Sequence, residues 1–176
     1  PPREYIFVVD VSGSMHGFPL NTAKRLLRDL IGNLRATDTF NVLLFAGASK
    51  VMAPASVPAT PANIEKAVSL IDRQQGGGGT ALNKALEKAF SLPRKEGVSR
   101  SAVLVTDGYI AAEKDVFRLI REHLNTTNVF SFGIGAGVNR HLIEGVARAG
   151  LGEPFVVTDP GEASRVAAIF RRYIES

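Results

Sequence analysis

Short apolar runs alternate with longer stretches of helical periodicity along almost the whole chain, and this alternation narrows the fold more than any other feature. Tyr5-Ile6-Phe7-Val8-Val9 is a continuous apolar run, as expected of a strand buried on both faces. From Leu20 to Leu34, the residues Leu20, Ala23, Leu26, Leu27, Leu30, Ile31 and Leu34 fall at helical spacing. Phe40 to Ala46 reads as a second buried strand and Lys50-Val51-Met52 as a short edge strand. Pro54, Pro58 and Pro61 then argue against regular pairing. Pro61 suits a helix start, with Ile64, Ala67, Val68 and Ile71 as its stripe. After a glycine run, Leu82, Ala85, Leu86, Ala89 and Phe90 mark a helix stopped near Pro93. Ala102 to Thr106 predicts a strand, and Val116, Leu119, Ile120 and Leu124 a helix. Val129 to Phe132 predicts a strand, Leu142, Ile143, Val146 and Ala147 a helix, and Phe155-Val156-Val157 a last strand. Val166, Ala167, Ile169, Phe170 and Ile174 belong to a closing helix that begins near Asp159-Pro160. Strands separated by helices pair in parallel through right-handed crossovers. The expected fold is therefore α/β: a doubly wound, mostly parallel central sheet with helices on both faces and a short edge strand.

A length of 176 residues with 45% hydrophobic content suits one domain, residues 1–176, with a sizeable core. No apolar run approaches the ~20 residues that span a bilayer, so direct membrane insertion is not expected. The absence of cysteine removes disulfides, thiol catalysis and zinc–thiolate sites. Net charge is +4, but basic residues alternate with acids, as in Lys24-Arg25-Leu26-Leu27-Arg28-Asp29. That pattern fits solvated helix faces rather than a nucleic-acid stripe. The chain opens at Pro1 without a methionine, and the expectation is a domain excised from a larger chain.

The chemistry concentrates at three predicted strand or loop ends. Asp10-Val11-Ser12-Gly13-Ser14 follows the first strand. Gly76-Gly77-Gly78-Gly79-Thr80 precedes a helix, and Thr106-Asp107-Gly108 follows a later strand. In an open parallel sheet, ligands bind outside the carboxyl ends of the strands, where the carboxylates of Asp10 and Asp107 converge if their strands are neighbours. Oxygen-only donors suit a hard cation such as Mg²⁺, so Asp10, Ser12, Ser14, Thr80 and Asp107 form a candidate metal shell. Gly13 would allow a tight turn between the serines, and Gly77 to Gly79 would let the backbone bring Thr80 close. Each motif taken alone also has a structural reading. Ser12 and Ser14 could cap a turn, the two aspartates could cap helices, and the glycines could form a flexible loop. Met15, His16 and Tyr109 flank these loops and are candidates for the rim of a partner-binding face. Gly133-Ile134-Gly135-Ala136-Gly137 lacks the full dinucleotide glycine spacing and reads as a tight strand-to-helix turn.

The set Asp10-x-Ser12-x-Ser14, Thr80 and Asp107 resembles the metal-ion-dependent adhesion site of a von Willebrand factor A, or integrin I-like, domain. Met15 after the second serine, Asp38-x-Phe40-Asn41 before a strand ending at Phe45, and Gly79-Thr80-Ala81-Leu82 opening a helix extend the likeness. Together these features look most like the A domain of inter-alpha-trypsin inhibitor heavy chains and their bacterial relatives, over essentially the whole chain. The resemblance implies a Rossmann-like fold and a bound Mg²⁺, with Mn²⁺ or Ca²⁺ as alternatives. It implies that Ser12 and Ser14 coordinate through their hydroxyls, while Asp10, Thr80 and Asp107 bind directly or through water. It further implies a non-catalytic adhesion-type module in which an acidic side chain of a partner protein completes the metal shell. An extracellular, periplasmic or cell-surface setting goes with it, and a closing helix that shifts along the sheet. A rival reading is a Mg²⁺-dependent phosphatase or phosphotransferase of the haloacid dehalogenase type. Such enzymes carry a second Asp where this chain has Ser12, and their later acidic pair is missing at Asp107-Gly108-Tyr109. A third reading is a structural domain in which the metal serves as a folding staple.

Overall fold

In the computed structural model, residues 2–109, 113–135 and 137–175 are described. The first half of the chain runs β1 (Arg3–Asp10), α1 (Phe18–Gly32), β2 (Thr39–Phe45), β3 (Ser49–Val51), β4 (Val57–Pro58), α2 (Pro61–Asp72) and α3 (Leu82–Ser91). The second half runs β5 (Ser99–Thr106), α4 (Glu113–Glu122), β6 (Thr127–Ile134), α5 (Arg140–Ala149), β7 (Leu151–Val157) and α6 (Ala163–Glu175). Single 3-10 turns occupy Gly13–Met15 and Pro160–Glu162. No helix among the described residues is long and apolar enough to cross a membrane.

The sheet order is β3-β2-β1-β5-β6-β7, with β4 also pairing to β2. Strands β1, β2, β5, β6 and β7 are mutually parallel, while β3 and β4 run antiparallel to β2. The doubly wound sheet anticipated from the alternation of elements is thus present, edge strand included. Successive side chains of each strand point to opposite faces. Tyr5, Phe7 and Val9 pack with α1, α2 and α6, whereas Ile6 and Val8 pack with α3, α4 and α5.

Two sequence expectations need correction. Val57–Pro58 does pair with β2, because Ala59 N, not Pro58, donates to Asp38 O (3.0 Å), so the proline ring costs no ladder bond at this edge. Strands β1 and β5 also run further than their apolar runs, taking in Glu4 and Arg100. Both are buried, and Arg100 Nε lies 2.7 Å from Glu4 Oε1. The Arg100 guanidinium also donates to the carbonyls of Leu92 (3.0 Å) and Pro93 (2.6 Å), while Ser56 Oγ donates to Glu4 Oε2 (2.5 Å). Mutual neutralisation lets two charged residues sit inside strands, which a hydropathy pattern does not register.

The chain leaves β1 through α1 to β2 on one side and returns through α2 and α3 to β5 on the other. The β1/β5 junction is therefore the switch point, with its opening at the carboxyl ends of these two strands.

Candidate functional site

Asp10 is the last residue of β1, and Thr106, the last of β5, lies one step past the pair Val9–Val105 in the parallel register. The Asp10 carboxylate is fully buried, and both of its oxygens accept hydrogen bonds. Its Oδ1 accepts from Ser12 N (2.9 Å) and Ser12 Oγ (2.5 Å), and its Oδ2 accepts from Thr106 Oγ1 (2.6 Å). Burial raises the Asp10 pKa above the ordinary carboxylate range, the three donors pull it down, and the Asp107 charge pushes it up again. The two aspartates are thus electrostatic neighbours, as their strand ends suggested.

Ser12 is buried and Ser14 exposed, with their hydroxyl oxygens 3.5 Å apart. Ser12 spends its one proton on Asp10, which leaves its lone pairs free to face a cation. Neighbouring ligands of an octahedral Mg²⁺ sit about 3.0 Å apart at the usual bond length, close to the serine spacing found here. Asp107 is half-buried beyond β5, and its Oδ1 accepts from Tyr109 N (3.0 Å). These contacts bear on the structural readings of the motifs. The Ser12 hydroxyl does not cap the 3-10 turn that follows it but holds Asp10. Asp107 closes a local turn rather than capping a helix, and the α2 cap is the Thr60 side chain.

The glycine run is stitched to the strand ends by backbone bonds. Gly77 N donates to Val11 O (3.0 Å), Gly13 N to Gly78 O (2.9 Å) and Ala81 N to Ala46 O (2.8 Å). Thr80 is therefore bracketed between two anchored residues on the same rim as the serines. Gly13 sits in the 3-10 turn between the serines, as expected, but without a positive φ. A Cβ there would stand 3.3 Å from Gly78 O, a close approach that favours glycine. Gly76 carries the strain instead, with φ +82° and space for a Cβ only 2.9 Å from His16 Cα. His16 is exposed, and its Nδ1 donates to Gln75 O (2.9 Å).

Of the three rim candidates, Tyr109 is 81% exposed and His16 is exposed, but Met15 is not on the surface at all. The 3-10 turn Gly13–Met15, closed by Met15 N to Ser12 O (3.0 Å), swings its side chain into the core beneath α1. Met15 is therefore a packing residue, and Phe18, half exposed at the start of α1, takes its place beside the loop. The Gly133–Gly137 segment is a strand-to-helix turn whose Gly135 has φ +103°, and its Ala136 lies outside the described residues.

All five candidate metal donors are oxygens. Among the described residues, no three of His, Cys, Asp or Glu gather into a metal-holding group, here or elsewhere, so any cation at this site depends on hydroxyl oxygens as well as carboxylates. The first turns of α1, α3 and α5 contain no acidic residue, so the positive ends of α1 and α3 beside these loops favour ionised carboxylates. The donor set thus fits a hard divalent cation. Sequence reasoning passed over Thr106, which looks like the end of an apolar strand and bears no motif of its own.

A family model described as "von Willebrand factor type A domain" matches residues 3–153. The chain belongs to this family. The A domain is 28% identical over 159 residues to inter-alpha-trypsin inhibitor heavy chain H3 of Bos taurus, covering 83% of this chain and 18% of that one. It spans between 7% and 18% of the length of the curated relatives it matches. A solved structure of an aerotolerance-related membrane protein from Bacteroides fragilis superposes on the A domain with a TM-score of 0.83 at 20% identity, covering 98% of each chain. A manganese-loaded TRAP protein of Plasmodium vivax superposes with a TM-score of 0.73 at 22% identity, covering 96% of this chain and 72% of that one. Identities this low speak for the fold of the A domain. Its alternating strands and helices, and its Rossmann-like sheet, are those of the family.

Proposed function

We propose that this domain is a non-catalytic, divalent-cation-dependent protein-binding module of adhesion type. Asp10, Ser12, Ser14, Thr80 and Asp107 hold Mg²⁺, or Mn²⁺ or Ca²⁺ in its place, and an acidic side chain of a partner protein completes the shell. The observation that carries this reading is the cluster of Asp10, Ser12 and Ser14 oxygens at the sheet's switch point, with Asp107 close enough to act electrostatically on Asp10 and Thr80 on the loop anchored beside it. Five oxygen donors leave the sixth position of an octahedral ion open, and a carboxylate from outside can fill it in place of water. The rim around it is Tyr109 and His16, both exposed. The manganese in a solved member of the same fold is in line with this.

Catalysis by Asp10 is disfavoured on physical grounds. The carboxylate has no exposed surface and three donors hold it, which leaves one lone pair for a small ion but no approach for the bulky phosphoryl group that a nucleophile would attack. The domain acts as one part of a longer chain, in an extracellular, periplasmic or cell-surface setting.

The test is a selection of displayed random peptides on the immobilised domain, run in Mg²⁺ and again in EDTA. Peptides that bind only in Mg²⁺, and that lose binding when one Asp or Glu is changed to its amide, are the expected result. Binders indifferent to EDTA and to their own acidic residues would refute the mechanism.

A further inference from the structure

Thr106 is fully buried and does something unusual with its hydroxyl. A buried strand hydroxyl commonly satisfies itself on a nearby carbonyl, as Ser131 Oγ does on Ile143 O at 2.6 Å. Thr106 Oγ1 instead joins two segments of the site. It donates to Asp10 Oδ2 (2.6 Å) and accepts from Gly108 N (3.0 Å). Its proton is not free to turn elsewhere, because an amide N–H only donates and a carboxylate only accepts. The Gly108 turn has little room to drift. Its φ is +78°, and a Cβ there would lie 3.0 Å from Asn139. One residue on, Tyr109 N donates to Asp107 Oδ1, so the same turn fixes the second carboxylate.

Lone-pair arithmetic shows what this leaves for a cation. Asp10 Oδ1 already takes two donors from Ser12, and Oδ2 takes one from Thr106. The one open lone pair of Asp10 thus lies on the oxygen that Thr106 holds. We propose that Thr106 is the positioning residue of the site: it locks the Asp10 carboxylate and the Asp107–Tyr109 turn into one unit, and divalent-cation affinity depends on that lock. This rests on the cation-binding reading above. Groups that orient metal ligands from behind typically contribute about 10–100-fold in affinity.

The experiment compares wild type, Thr106→Val and Thr106→Ser by calorimetric titration with Mn²⁺ and by amide hydrogen exchange of the metal-free proteins. Valine keeps the shape and deletes the hydroxyl. It should weaken Mn²⁺ binding about 10–100-fold and speed exchange at Gly108 roughly tenfold through loss of one hydrogen bond. Serine keeps the hydroxyl and should restore both properties to near wild type. A folded Thr106→Val protein with wild-type Mn²⁺ affinity overturns the proposal, as does a Thr106→Ser protein as weak as the valine variant. If Thr106→Val does not fold, Thr106→Cys, with a weaker donor of similar size, must reduce affinity in the same direction or the proposal falls. Failure of the wild type to bind Mn²⁺ overturns the cation reading itself. Wild-type binding with an indifferent valine variant overturns only the role of Thr106.

Discussion

Replacing Asp10 by asparagine removes one charge at almost constant shape, and the surroundings of this side chain set the size of the effect. The carboxylate is fully buried and accepts from Ser12 N, Ser12 Oγ and Thr106 Oγ1. In Asp10→Asn, the amide oxygen still serves Ser12, but the amide nitrogen faces the Thr106 hydroxyl and leaves it without an acceptor. That loss costs roughly 1–3 kcal/mol. Against it stands relief of a desolvated carboxylate that burial and Asp107 already hold above its ordinary pKa. In EDTA the two effects oppose, and the net change should stay within about 2 kcal/mol. Cation binding separates the proteins clearly. At 100 times its Kd, Mg²⁺ stabilises the wild type by about 2.7 kcal/mol, or about 5–11 °C in Tm for a domain of this size. An affinity lowered 10–100-fold leaves the variant about 0.4–1.4 kcal/mol at the same concentration, or about 1–6 °C. Scanning calorimetry in EDTA and in Mg²⁺, at one fixed concentration for both proteins, measures the difference. An Mg²⁺-induced rise in Asp10→Asn equal to that of the wild type would show that the cation does not sit at this carboxylate. A collapse of the variant in EDTA by several kcal/mol would show that Asp10 is a structural anchor first.

The raised pKa of Asp10 gives a pH signature in the metal-free protein. The native state holds this proton more tightly than the unfolded chain, so its contribution is full below the unfolded value of about 3.9 and is lost as pH rises through the native value. In EDTA, wild-type stability relative to Asp10→Asn should therefore fall as pH rises above about 4, and saturating Mg²⁺ should remove the trend; urea titrations that give a rising difference would contradict it. Glu4→Gln leaves the Arg100 guanidinium, 0% exposed, without its counter-charge, and should cost about 3–5 kcal/mol in urea unfolding; a loss below 1 kcal/mol would mean that the carbonyls of Leu92 and Pro93 suffice. Gly76→Ala meets both a positive φ and the His16 backbone. It should lower stability by about 1–2 kcal/mol and reduce the Mg²⁺-induced rise in Tm, and an unchanged rise would separate the glycine loop from the site.

The order of elements was legible in the chain itself, and so was the set of oxygen donors proposed for the site. Continuous apolar runs such as Tyr5–Val9 mean a strand covered on both faces, and the helical stripes between them leave parallel pairing as the natural solution. Asp10, Ser12, Ser14 and Asp107 could be nominated because short-range spacing alone brings such donors to strand ends. What spacing could not reach were relations between residues distant in sequence. Thr106 and Asp10 meet through a β1–β5 register across 96 positions, and Glu4 and Arg100 are buried by the same pairing. Met15 sits in a motif that looks like surface loop, yet one 3-10 turn points it into the core. Gly13 and Gly76 each also face a segment about 60 residues away, Gly78 and His16, a closeness that the local turn does not reveal. The sequence by itself determined which elements form and nominated the oxygens proposed for the switch point, because periodicity and local donor chemistry are properties of a few neighbouring residues. Only the tertiary structure decided which hydroxyl holds which carboxylate, and which side chain faces solvent. Those outcomes depend on strand register and loop docking, which no local stretch of chain contains.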